Sequence, residues 1–132
     1  MNTLKGIVSN LKTTGHMTLV ELKVGKYLLK SIVLETPQSA PYLKIDNTIN
    51  VLFKETEVII AKGDLTPMSL QNRINGVVSK IDRGEILGRL TLDSDIGEIV
   101  SLITTSAIDQ LILKKGDNVT AMVKTNEIML SA

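Results

Sequence analysis

The chain has no cysteine and no tryptophan, a single histidine (His16), and only three aromatic side chains, Tyr27, Tyr42 and Phe53. Without cysteine there is no disulfide framework, no thiolate metal site and no cysteine nucleophile. One histidine leaves almost nothing from which to build a Ser-His-Asp triad or a histidine zinc site. So few aromatics provide no stacking platform for single-stranded nucleic acid. No excess of one charge exists either: 15 basic residues stand against 14 acidic ones, a net charge of +1. Nucleic-acid binding by counterion release needs a basic surface, so that class is disfavoured. No apolar run approaches the roughly 20 residues of a membrane span, and the opening Met1-Asn2-Thr3-Leu4-Lys5 does not read as a signal peptide. These absences predict a cytoplasmic protein that is not an enzyme and has neither nucleic acid nor membrane as partner. His16 falls at a predicted turn and reads as exposed.

What the chain does have is ordinary folding composition, 43% hydrophobic and 22% charged over 132 residues, and an internal repeat. Sliding the sequence along itself by 70 residues aligns Leu4 to Lys62 with Ile74 to Ala132 without a gap. Leu4-Lys5-Gly6-Ile7-Val8-Ser9 meets Ile74-Asn75-Gly76-Val77-Val78-Ser79, and Ser31 meets Ser101. Val51-Leu52-Phe53-Lys54-Glu55-Thr56-Glu57-Val58 meets Ala121-Met122-Val123-Lys124-Thr125-Asn126-Glu127-Ile128. Apolar positions coincide almost throughout, as expected of a tandem duplication. The predicted organisation is a first domain over 1–62, a linker over 63–68 centred on Gly63-Asp64-Leu65-Thr66-Pro67, and a second domain over 69–132. The halves differ in charge: eight lysines and five acids in 1–63, seven basic and nine acidic residues in 64–132.

Each unit reads as strands with one short helical interruption. In the second, strands are predicted over Asn72 to Ile81, Ile86 to Leu92, Glu98 to Thr104, Val119 to Val123 and about Glu127 to Leu130. A single helical turn over Ser106 to Leu111 has Thr105 or Ser106 as its N-cap. In the first unit Glu35 to Tyr42 carries two prolines and reads as a rigid loop. Met68, Met122 and Met129 read as core fillers. Asn72 reads as fixing a backbone turn. Five strands with a short helix between the third and fourth is the order of an OB-type barrel, so the expected fold is all-β, two tandem OB-like five-stranded barrels. A unit of about 60 residues is small for an independent core, which favours association.

The second unit resembles the Mop or TOBE (transport-associated OB) domain family. In that family a Ser-Ala-Arg-Asn type opening leads into Leu-x-Gly-x-Val, then a Thr-x-x-Ser segment, Leu-x-Leu-x-x-Gly-x-x-Val-x-Ala, and a closing Lys-Ala-Ser-x-Val strand. Here the matching residues are Ser69-Leu70-Gln71-Asn72 before Ile74-Asn75-Gly76-Val77-Val78, then Thr104-Thr105-Ser106-Ala107. Leu111-Ile112-Leu113-Lys114-Lys115-Gly116-Asp117-Asn118-Val119-Thr120-Ala121 and Lys124-Thr125-Asn126-Glu127-Ile128 complete the order. The first unit follows the same order less closely.

The resemblance implies a binding protein for the tetrahedral oxyanion molybdate or tungstate, with no other cofactor, and a homotrimer as its assembly. Such a dianion accepts hydrogen bonds and donates none, so backbone N–H groups, hydroxyls and a lysine ammonium suit it, and no metal-ligating side chain is needed. Carried over by the motif, the oxyanion-binding residues are Ser69, Gln71, Thr104, Lys124 and Thr125, with Lys54 as the matching lysine of the first unit. Each has a plainer alternative: Lys54 and Lys124 as solvated strand residues, Thr104 as a helix cap, Ser69 as part of the linker. Two departures stand out. Gln71 replaces the family's arginine, with Arg73 two places later, and where the family has Ala-Ser after the lysine the chain has Thr125-Asn126 and Glu55-Thr56, Glu55 being a poor neighbour for a dianion. The second unit is therefore the expected seat of binding.

Overall fold

A computed structural model describes residues 1–63 and 67–132; Asp64, Leu65 and Thr66 of the expected linker lie outside the described residues. Among the described residues ten strands form two five-stranded antiparallel sheets. In the first half β1 is Asn2–Thr14, β2 Met17–Val24, β3 Tyr27–Val33, β4 Thr48–Phe53 and β5 Ile59–Lys62. The second half repeats them as β6 (Asn72–Arg83), β7 (Leu87–Ser94), β8 (Gly97–Thr104), β9 (Asn118–Val123) and β10 (Met129–Ser131), with helix α1 (Thr105–Gln110) after β8. The fold is all-β and OB-like in each half. β6 runs two residues past its expected end, and β7 begins at Leu87 rather than Ile86.

Burial follows the period of two. Along β1, Asn2, Leu4, Gly6 and Val8 turn inward while Thr3, Lys5 and Ile7 turn out. Ser9 and Ser79 sit at matching register shifts in β1 and β6, and each hydroxyl donates to a carbonyl of the neighbouring strand, Glu21 and Thr91, at 3.2 Å. The inner faces of both sheets join in one core that includes Phe53, Leu22, Ile99 and Leu92.

The sheets are not closed by their own repeats. The strand order is β10-β4-β1-β2-β3 in one and β5-β9-β6-β7-β8 in the other. Each half lends its last strand: Met129, Leu130 and Ser131 pair with Leu52, Val51 and Asn50, while Ile59 to Lys62 pair with Met122 to Val119. Buried hydroxyls fix the crossing, Ser31 donating to the Ile128 carbonyl and Ser101 to the Val58 carbonyl, both at 2.8 Å. Asn72 clamps no turn, contrary to its sequence reading. It is 2% exposed, and its amide bonds both the N–H (2.7 Å) and the carbonyl (2.8 Å) of Lys30 on β3. Asn2 does the same to Val100 on β8, with both bonds at 2.8 Å.

Helix α1 is capped by Thr104, the plainer of its two sequence readings, rather than by Thr105 or Ser106; its hydroxyl accepts from the Ala107 N–H at 3.0 Å. The first half has Leu34 at that position, with no acceptor to offer, and prolines at 37 and 41; the segment there folds as turns. At the other end of α1, the Lys62 ammonium from β5 donates to the carbonyls of Leu111 (3.1 Å) and Ile112 (2.9 Å), a favourable place for a cation. Of the three methionines expected in the core, Met122 is 3% exposed, but Met68 (40%) and Met129 (38%) lie outside. At the entry to β10 the alternation turns Ile128 and Leu130 toward the core, which turns Met129 out.

Ile112 has φ 51°, a left-handed conformation that a β-branched residue adopts only under strain, and it is 71% exposed. Ile112→Gly is expected to raise stability by about 0.5–1 kcal/mol, since relief of the left-handed cost outweighs glycine's entropy. Urea unfolding midpoints check it; an unchanged or lower midpoint would contradict the strain.

Candidate functional site

The end of the β6–β9 ladder brings part of the expected site together. Asn72 pairs with Val123, so Gln71 and Lys124 stand opposite each other just beyond it. Lys124 is not a strand residue: its extended backbone (φ −69°, ψ 147°) leads into a 3₁₀ turn, Thr125–Glu127. The Lys124 carbonyl accepts from the Glu127 N–H at 3.0 Å, which fixes the turn. Lys124 is exposed and Thr125 half-buried. Among the described residues Lys124 forms no ion pair, so its ammonium is available to an anion from solution. Gln71 and Ser69 are exposed on the segment entering β6.

Arg73 does not take the place of the missing arginine. Its guanidinium donates to the Leu70 carbonyl at 2.7 Å and the Met68 carbonyl at 3.2 Å, pinning the incoming segment. Thr104 stands apart: it pairs with Leu87, at the far end of the sheet from Asn72 along the 12-residue β6, and its hydroxyl serves the helix cap.

In the first half the same geometry recurs with other chemistry. Asn2 pairs with Phe53, placing Met1 across from Lys54, and Lys54 leads into the 3₁₀ turn Glu55–Glu57. Here the Met1 ammonium meets the Glu55 carboxylate at 2.5 Å. That bond holds the Glu55 carboxyl below the usual carboxylate range, and Arg89 on β7 adds a further attraction. The sequence names Glu55 but not its partners: one is a main-chain terminus, and the other lies in the opposite repeat.

An open cleft of about 630 Å³ lies elsewhere, on the outer face of β5, β9, β6 and β7 beneath the β2–β3 turn. Tyr27, Asn75, Asn118, Thr120, Asp93 and Asp95 line it, and none of the six expected site residues does. Its one cation, Lys26, is engaged by Asp95 at 2.7 Å. With Asp93 also present, it is unsuited to a dianion.

Residues 68–130 match the TOBE domain family. The chain is 26% identical over 134 residues to the molybdenum transport protein ModE of Herbaspirillum seropedicae, an alignment covering 98% of this chain and 49% of that protein. It thus spans about half the length of that curated relative. In structure it is similar to the cytoplasmic molybdate-binding protein ModG in a molybdate-bound crystal form, with a TM-score of 0.91 and 26% identity over 99% of this chain and 95% of that one. MopII from Clostridium pasteurianum, in an apo form, is 27% identical and covers 50% of this chain and all of its own, with a TM-score of 0.48.

Proposed function

We propose that this chain, whose residues 68–130 match the TOBE domain family, is a cytoplasmic binding protein for molybdate or tungstate, serving storage or homeostasis of the oxyanion rather than catalysis. The observation that carries the reading is the likeness over the whole chain to a molybdate-bound protein, at a TM-score of 0.91. The binding residues proposed are Lys124, Thr125, Gln71 and Ser69, gathered where β6 and β9 end. Lys124 supplies a charge-assisted donor, Thr125 and Ser69 hydroxyls, and Gln71 an amide N–H in place of a guanidinium. Thr104 can reach such a ligand only from another copy of the chain, in keeping with sites shared within a trimer. Lys54 is the corresponding donor of the first half, with Glu55 beside it.

Titration calorimetry with molybdate, tungstate and sulfate tests the reading. Lys124→Ala is expected to weaken oxyanion binding by about 10- to 100-fold, the worth of a hydrogen bond to a charged group. Lys80→Ala should change nothing, since Lys80 lies on β6 beside Asp82 at 3.6 Å and away from the ladder end. Absence of heat from molybdate and tungstate up to millimolar concentration would refute the proposal.

The match to half of a molybdenum transport protein favours a second reading, a ligand-responsive regulatory or interaction module of a molybdate transport system. A stoichiometric protein partner recovered by affinity purification, bound in the presence of molybdate and released without it, would support this over storage.

A further inference from the structure

The two ladder ends are the same frame filled in two ways. Lys54-Glu55 and Lys124-Thr125 stand 70 residues apart, and each pair begins the 3₁₀ turn that follows the same strand of its repeat. In the second frame the residue after lysine is a half-buried threonine whose hydroxyl has no protein partner among the described residues. In the first it is a carboxylate already bound to an ammonium, with Arg89 near and Lys54 adjacent in the chain. A carboxylate and a tetrahedral oxyanion make the same demand, for positive charge and N–H donors, and they repel each other. They cannot share one small cluster of cations.

We infer that Glu55 is a resident anion: it occupies in the first repeat the position that an external oxyanion takes in the second, and so leaves the chain with one class of oxyanion site instead of two. The inference rests on the binding reading above and names the residue that sets its stoichiometry. As a mere surface ion pair Glu55 would matter little to stability, since exposed pairs are screened by water and salt. Its proposed consequence is on ligand count.

The experiment is equilibrium dialysis against molybdate with the untagged N-terminus retained, on the wild-type chain, Glu55→Thr, Glu55→Gln and Glu55→Thr with Lys54→Ala. Melting curves confirm that each is folded. Glu55→Thr reproduces the residue at 125 and frees the Met1 ammonium, so molybdate bound per chain at saturation should roughly double, because the freed cation, Lys54 and the new hydroxyl are the donors an oxyanion needs. Glu55→Gln, which removes the charge but keeps the bulk, should gain in the same direction, and Lys54→Ala in the threonine background should remove the gain. A wild-type chain that binds molybdate, together with folded Glu55→Thr and Glu55→Gln chains that bind no more of it, overturns the inference alone. A wild-type chain that binds none overturns the reading on which it rests.

Discussion

Replacing Asn72 with alanine is expected to destabilise the fold by about 2–4 kcal/mol, because it leaves both backbone groups of Lys30 without a partner in a partly buried site. The side chain is 2% exposed, and its two bonds, at 2.7 and 2.8 Å, are the only ones the Asn72 amide makes among the described residues. For a chain of this size such a loss lowers Tm by on the order of 10 °C. Asn72→Asp should be worse than alanine. The carboxylate can still accept from the Lys30 N–H, but its second oxygen then faces the Lys30 carbonyl, and a buried charge is added. Asn2→Ala should match Asn72→Ala, since Asn2 binds Val100 in the same manner. Asn75→Ala provides the comparison: Asn75 is exposed, its side chain only accepts from the Thr120 hydroxyl at 3.3 Å, and its removal should cost little. Thermal melts of the four variants decide it. An Asn72→Ala chain as stable as Asn75→Ala, or an Asn72→Asp chain more stable than Asn72→Ala, would show that this clamp does not hold the halves together.

The clamp also marks the border of what the sequence discloses. The 70-residue offset is legible in the apolar pattern, and the structure repeats it in details no pattern contains. Asp46, with φ 70°, occupies the position of Gly116, with φ 94°, because aspartate tolerates the left-handed region better than most residues. The helix of the second half is likewise legible, but the helical interruption expected after the third strand of each unit forms only there among the described residues. Leu34 offers no cap where Thr104 does, and the prolines at 37 and 41 break the segment. The pairing of β5 and β10 is not. Ile60 and Ile128 turn inward whichever sheet receives them, and alternation specifies a face but never a partner. The crossing is decided by Val58 and Ile128, whose carbonyls lie against Ser101 and Ser31, and a serine in a strand announces no such role. Asn2 and Asn72 are hidden for the same reason: a polar residue opening a strand reads as surface. At the ladder ends, Lys54 and Lys124 could be found by repeat and motif. The ammonium that occupies Glu55 could not, because it is a chain terminus and no side-chain motif records it.

Deleting residues 127–132 should abolish cooperative folding, the largest effect foreseen. The segment carries Ile128, which is 3% exposed, and β10, which covers β4 along Leu52, Val51 and Asn50. Losing a buried isoleucine costs about 2–5 kcal/mol. The Ser31 hydroxyl, 0% exposed, loses its acceptor at a further cost of about 1–3 kcal/mol. The bared edge of β4 then invites pairing with other chains. Together these come to about 3–8 kcal/mol, enough to exhaust the stability of a domain at the lower end of the usual range of about 5–15 kcal/mol. Ile128→Ala is the milder form and locates the damage. Were β10 closing its own repeat, amide protection would fall first in β9 and β6. Because β10 lies on β4 and the Ile128 carbonyl binds Ser31 on β3, protection should fall first over 27–33 and 48–53, in the repeat that does not contain the substitution. Hydrogen exchange on Ile128→Ala resolves the two patterns, and early exchange confined to 72–83 and 118–123 would refute the exchange of strands. Val58→Ala supplies the mirror experiment: its carbonyl serves Ser101 on β8, and it leads into β5, paired with β9. There the loosening should cross the other way, from a substitution in the first repeat to strands of the second.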